Sequence, residues 1–289
     1  MRASLGLLFS RSLGGLGGDP FVVKEKLITP FNAVGVVTAA GAGVRMGSDL
    51  AKQFLELQGK PILTHTLEKF QSCPDIREII VVVPEGSVDF CLDQVVKPYG
   101  LSKVSEIVVG GERRQDSVRM GIEATRGDFD LVAVHDGVRP FVTPELISRI
   151  VAAAAQYGAA TAGLRARETV KEVDGEGWVI RTHDRRRLWM IQTPQVFRYR
   201  DIVSAHRRAQ REGWEDLTDD ALLMERMGIP VKVIEGSEEN IKITTPKDLL
   251  LGRFFVEAGT GFPQGGMGDS NGHASENRYK GKQTGPCPE

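Results

Sequence analysis

The sequence predicts an α/β fold, a doubly wound and mostly parallel sheet from which a short β-arm projects. Three observations carry that reading. Short runs rich in β-branched residues alternate with stretches of helical spacing through the middle of the chain. The first such run passes straight into a glycine-rich turn, AAGAGVRMG, as a strand-to-helix connection does. One later segment, 165–189, breaks the alternation and holds a turn signal between two β-like pieces.

Taken in order, AVGVVTA (33–39), EIIVVV (78–83), EIVV (106–109), LVAVH (131–135) and AATAGL (159–164) are short, apolar and suited to buried strands. The stretches 60–72, 86–97, 114–125 and 144–157 space their apolar residues as helices do. Strands alternating with helices build βαβ units, so ligands belong at the carboxyl ends of the strands. In RARETVKEVDGEGWVIRTHDRRRLW (165–189) a hairpin turning at DGEG forms an arm of the kind that reaches a second subunit. One domain is therefore expected over 31–258, with the arm at about 165–188. Residues 1–30 and 259–289 are Gly-rich or polar with little to bury, and are expected to be disordered extensions. The opening MRASLGLLFSRSLGG lacks acids before Asp19, so an unstructured extension and a transit peptide both remain open there.

Lys+Arg 37 against Asp+Glu 38 leaves a net charge of −1, which gives no global attraction for nucleic acid or an anionic membrane. No apolar run approaches the roughly 18–20 residues that span a bilayer. Cys73, Cys91 and Cys287 show neither metal-ligand nor redox spacing. A reducing, cytoplasmic setting is expected, or a plastid if the N-terminus is a transit peptide.

Chemistry concentrates in a few loops. Gly41 and Gly43 let backbone N–H groups approach a phosphate and form an anion-binding nest. Gly47 falls one position late for a dinucleotide fingerprint, and no G-K-[ST] follows. What remains is a glycine loop ending in Arg45 and Lys52, either two cations that reach a triphosphate or two solvated side chains on a turn. VHDGVRPFVTPE (134–145) puts Asp136 at the tip of a central strand, where it either ligates Mg²⁺ beside phosphate oxygens or caps the turn before the Pro144 helix. Arg139 points toward an anionic acceptor, and His135 reads as a packed strand-end residue. In GGERRQDSV (110–118), Gly110 and Gly111 let a flat base lie on the backbone and Ser117 bonds it, while Arg113 and Arg114 read as a solvated face. Arg185 is an arm anion binder or part of a surface cluster, and Thr193 precedes a rigid proline in QTPQ. Lys242 is expected on a short strand before a Thr245-capped helix, and Thr218 or Asp219 caps another.

In this order AAGAGVRM, AKQF, GGERRQDSV, VHDGVRPF, DRRRLW, QTPQVF, TDD and ENIKITTPKDL resemble the 2-C-methyl-D-erythritol 4-phosphate cytidylyltransferases of the non-mevalonate isoprenoid pathway, over roughly residues 32–256. The resemblance implies a Rossmann-like nucleotidyltransferase, a homodimer through the arm, Mg²⁺, and CTP and methylerythritol 4-phosphate as substrates. By position it makes Arg45 and Lys52 the pair that steadies the triphosphate, and Asp136 the residue near metal and acceptor. Ala39, Ala40, Gly41, Gly43, Gly111 and Ser117 match the nucleotide pocket. Arg139, Thr193 and Thr218 match the acceptor side, and Lys242 is counted with both. Thr169 and Arg185 match arm residues that grip the acceptor phosphate of the neighbouring subunit. Ala51 departs from the pattern, since the family often has proline there. A ribitol 5-phosphate acceptor is the alternative within the class. A non-catalytic nucleotide-binding protein is the alternative outside it, and such a protein is expected to have lost Arg45, Lys52 or Asp136.

Overall fold

Strand β1 (Ala33–Thr38) buries every side chain but its last, because it lies in the middle of a seven-stranded sheet with helices on both faces. The computed structural model describes residues 31–41, 51–215 and 217–259. The extensions expected at 1–30 and 259–289, apart from Gly259, lie outside the described residues, as do Gly43 and Arg45. After β1 come a tight turn at Lys52–Phe54 and a two-stranded ribbon, β2 (Glu56–Leu57) and β3 (Lys60–Pro61). Helix α1 (Ile62–Ser72) leads to β4 (Ile76–Val83), and α2 (Val88–Phe90) opens an irregular helical stretch before β5 (Val104–Val109). Then follow α3 (Arg114–Glu123), β6 (Leu131–Asp136), α4 (Pro144–Tyr157) and β7 (Ala159–Arg165). The arm is the hairpin β8 (Lys171–Val173) and β9 (Val179–Thr182). Behind it run β10 (Trp189–Arg198), α5 (Tyr199–Glu212), α6 (Ala221–Arg226), β11 (Lys232–Glu235) and α7 (Pro246–Glu257).

The sheet order is β11-β7-β10-β6-β1-β4-β5, parallel except for β10, which runs against both neighbours. From β1 the chain winds outward through β4 to β5, then returns to place β6 on the other side of β1. That reversal opens a crevice at the carboxyl ends of β1 and β6. One apolar layer joins the sheet to α1 and α4 through Leu67, Phe70, Ile147 and Ile150. The opposite layer joins it to α3, α5 and α6 through Val118, Ile122, Ile202 and Met224. Helix α7 closes a smaller cluster over Leu57, Val138 and Ile243. Its Thr245 accepts from the Asp248 N–H while the Asp248 carboxylate accepts from the Thr245 N–H, the capping box that fixes where the helix starts. Among the described residues no helix is long and apolar enough to cross a membrane.

Two features depart from expectation. β10 escapes periodicity because Gln192, Thr193 and Gln195 are buried polar residues and Pro194 interrupts the strand, where the ladder shifts register between Ile191 and Gln195. Lys242 is not on a strand. The Asn240 and Ile241 N–H groups donate locally, to the Ser237 and Glu239 carbonyls, and the Ile243 N–H donates to the Val138 carbonyl at 2.9 Å, so no ladder forms.

Helix α3 carries Arg114 and Ser117, so its seating on the sheet sets where both side chains stand. A Cβ at Gly121 would lie 2.5 Å from Val36 Cγ1 and 2.8 Å from Val82 Cγ2. In an exposed helix Gly→Ala gains about 1 kcal/mol. Gly121→Ala is instead expected to lose about 1–3 kcal/mol by overpacking, read from the urea unfolding midpoint. A gain would mean that α3 does not bear on the sheet here.

Candidate active site

The tips of β1, β5 and β6 converge on the crevice. In the β1–β6 ladder Thr38 pairs with Asp136, and the Gly137 N–H donates to the Thr38 carbonyl at 2.8 Å. Across β1 the Ala39 N–H donates to the Val82 carbonyl at 2.7 Å. A cavity of about 190 Å³ opens there, lined by Ala39, Ala40, Gly41, Lys52, Gly111, Ser117, Asp136 and Lys242 among others. Gly110 has a packing role that differs from the one expected: a Cβ there would run into Ala40 and come within 2.7 Å of Ser117 Oγ. Its lack of a side chain seats the wall of the cavity rather than a base. Ser117 Oγ donates to the Gly111 carbonyl at 3.3 Å.

A second cavity of about 320 Å³ lies beside the first, lined by Arg139, Gln192, Thr193, Gln195, Thr218 and Asp219. Arg114, Asp136 and Lys242 line both. At this seam the buried Asp136 carboxylate meets Lys242 Nζ at 3.0 Å, Arg139 Nε at 3.2 Å and Arg114 Nε at 3.4 Å. Burial alone would raise the Asp136 pKa, but Arg114, Lys242 and Arg139 outweigh it and hold the carboxyl well below the usual carboxylate range. Asp136 therefore does not cap α4; that task falls to Thr143, whose side chain accepts from the Leu146 N–H.

Two neighbours fix this strand tip. Since a carbonyl only accepts, His135 Nε2–H donates to the Arg139 carbonyl at 3.3 Å, and Nδ1 accepts from the Thr193 hydroxyl at 3.0 Å. Thr193 Oγ1 in turn accepts from the Asp136 N–H at 3.1 Å. Asn240, fully buried, donates to the Thr193 carbonyl, and its backbone carbonyl accepts from Arg139 Nη1 at 2.8 Å.

Arg114 is half-buried at the seam, contrary to the solvated face expected for it. Its Nη1 donates to Asp220 at 2.7 Å, while Arg113 makes only a local pair with Asp116. Helical phase is the signal that separates them, because Arg114 shares a face with the buried Val118 and Ile122 and Arg113 does not. Asp219, not Thr218, caps α6 by accepting from the Leu222 N–H. Thr169 and Arg185 line neither cavity, and Arg185 donates to the Arg167 carbonyl within the arm. A single buried, ionised carboxylate shared by both cavities fits a Mg²⁺ that arrives with phosphate oxygens, a mode that needs one or two carboxylates. Among the described residues no group of three or more His, Cys, Asp or Glu forms a protein-only metal cage.

Two cavities that share one cationic seam at the strand tips of a doubly wound sheet suit an enzyme that transfers a group between two anionic substrates. Comparison with known proteins narrows it. Residues 33–258 match the family model IspD, 2-C-methyl-D-erythritol 4-phosphate cytidylyltransferase. The enzyme of that name from Syntrophus aciditrophicus is 47% identical over 224 residues, covering 78% of this chain and 95% of the relative. That of Pelotomaculum thermopropionicum is 45% identical, covering 78% and 94%. The crystal structure of 4-diphosphocytidyl-2C-methyl-D-erythritol synthase from Anaerococcus prevotii superposes with a TM-score of 0.70 at 30% identity, covering 79% of this chain and 97% of that one. The chain belongs to the 2-C-methyl-D-erythritol 4-phosphate cytidylyltransferase family.

Burial lowers the His135 pKa from 6.5 to about 3, against the opposing pull of Asp136. Between those values the unfolded chain binds a proton that the folded one does not, so stability falls as pH drops from about 6.5. One such site contributes up to about 1.4 kcal/mol per pH unit. His135→Gln keeps a donor for the Arg139 carbonyl and cannot titrate. Urea midpoints between pH 7.5 and 5 are expected to decline less steeply for it than for the wild type, and an equal slope would place the acid sensitivity elsewhere.

Proposed function

We propose that the protein transfers the cytidylyl group of CTP to 2-C-methyl-D-erythritol 4-phosphate, forming 4-diphosphocytidyl-2-C-methyl-D-erythritol and pyrophosphate. The shared seam of Arg114, Asp136 and Lys242 carries the reading, because it places fixed charge where the two substrates' phosphates must meet. An oxygen of the acceptor phosphate attacks the α-phosphorus of CTP. A new P–O bond forms, and the bond to the bridging oxygen breaks, its electron pair leaving with pyrophosphate. The nucleophile is already anionic, so alignment and charge neutralisation suffice and no strong base is needed. Lys52 and Arg45 steady the triphosphate, with Gly41 and Gly43 presenting N–H groups. Arg139, Thr193 and Thr218 hold the acceptor. Asp136 is the residue that would hold Mg²⁺, which when bound would supply further charge neutralisation for the phosphate oxygens.

Methylerythritol 4-phosphate is preferred to ribitol 5-phosphate as acceptor because the Syntrophus and Pelotomaculum relatives carry the former in their names. The arm leaves Trp178, Val179 and Ile180 exposed, an apolar surface that a second copy would cover. In such a homodimer Thr169 and Arg185 serve the partner's acceptor site, within a cytoplasmic enzyme.

Pyrophosphate release from CTP and Mg²⁺ is expected with methylerythritol 4-phosphate and not with ribitol 5-phosphate; the reverse pattern would overturn the acceptor and keep the nucleotide site. Lys52→Ala and Arg45→Ala are each expected to lower kcat by ~10²-fold or more, the scale of losing one preorganised charge. Wild-type turnover in either variant would remove that residue from the reaction. Light scattering at assay concentration should give a dimer, and a monomer would strike Thr169 and Arg185 from the site.

A further inference from the structure

Asp220 takes no part in either cavity, yet it is 1% exposed and its carboxylate binds Arg114 Nη1 at 2.7 Å. The backbone around it is held in turn. Gln195, itself 1% exposed on β10, accepts with Oε1 from the Asp220 N–H at 3.0 Å and the Ala221 N–H at 3.2 Å. Its amide donates to Asp219 at 2.8 Å. The other oxygen of Asp220 faces His206 Nε2 at 3.9 Å, too far for a hydrogen bond. Burial lowers the His206 pKa, and at 3.9 Å against 2.7 Å it is Arg114 rather than His206 that the Asp220 carboxylate binds.

We propose that Asp220 is a positioning residue for the transfer reaction, acting through Arg114. A guanidinium has two usable edges. Asp220 takes Nη1 at 2.7 Å, Asp136 is met only through Nε at the longer 3.4 Å, and the guanidinium so held lines both cavities. Among the described residues Nη2 has no protein hydrogen-bond partner. Without Asp220, Arg114 is free to pair through two nitrogens with Asp136, taking up the carboxylate and withdrawing its own charge from the substrates. The inference rests on the proposed cytidylyl transfer, and it goes beyond it by assigning a role outside both substrate cavities.

The test uses Asp220→Asn, Arg114→Ala and their double variant, with guanidinium chloride at low millimolar concentration as the probe. Asp220→Asn is expected to lower kcat ~10-fold or more, the scale of losing a supporting contact. Its KM for CTP should change less than ~3-fold, because uniform binding is untouched. Guanidinium should raise the Tm and restore part of the kcat of Arg114→Ala, and should do neither in the double variant. Should one single variant fail to fold, the other carries the test. Wild-type kcat in Asp220→Asn, or guanidinium acting equally on Arg114→Ala and the double variant, would overturn the assignment. A Tm response confined to Arg114→Ala in a protein whose wild type releases no pyrophosphate would instead sink the proposed transfer and keep the anchor.

Discussion

The Asp136 carboxylate is the constraint around which the crevice is organised. An ion buried this deeply costs several kcal/mol unless it is matched, and removing one partner of such a set typically costs about 3–5 kcal/mol. Here the matching groups come from three separate segments: Arg114 at the start of α3, Arg139 in the turn after β6, and Lys242 ahead of α7. Each segment is thereby tied to one point, and the packing that seats it also serves to place its cation. Three cations facing Asp136 and Asp220 leave one positive charge in excess at the seam. That excess attracts phosphate without requiring the whole chain to be basic, which agrees with a net charge of −1.

Much of the architecture is legible in the sequence because the parallel strands are buried on both faces. Val34, Val36, Ile80 and Val82 face one layer and Val37, Ile79 and Val81 the other, so the runs read as continuously apolar. Strand β10 is illegible for the opposite reason. Its buried polar residues offset their desolvation through Asn240, Asp219, Ser237 and His135, and no local pattern announces partners so distant in sequence.

The site divides along the same line. Asp136, Arg139, Lys52 and Ser117 stand in segments that follow strands closely, so topology brings them together once the strands are known. Arg114, Asp220 and Gln195 stay hidden because each belongs to a pair or triple that forms only in three dimensions. A doubled arginine or a doubled aspartate looks like solvated charge, and only the turn of the helix or loop separates the more buried member from the more exposed one. Gly110 shows a related ambiguity. A glycine beside a pocket invites a ligand in thought, whereas here Ala40 and Ser117 fill the space.

Strand β10 has a mechanical meaning of its own. It leaves the arm at Trp189, with the Arg165 guanidinium stacked 4.7 Å over that ring, and continues as the wall that bears Gln192, Thr193 and Gln195. The arm and the wall of the second cavity thus share one strand, paired with β7 from Trp189 and with β6 only from Gln195 onward. From the arm's root the strand runs through Ile191 to the register shift that ends at Gln195, and Thr193 lies within that shift. The arm is thus joined by one strand to the wall of the second cavity, whereas β1 and β5, which border the first, make no direct pairing with that strand.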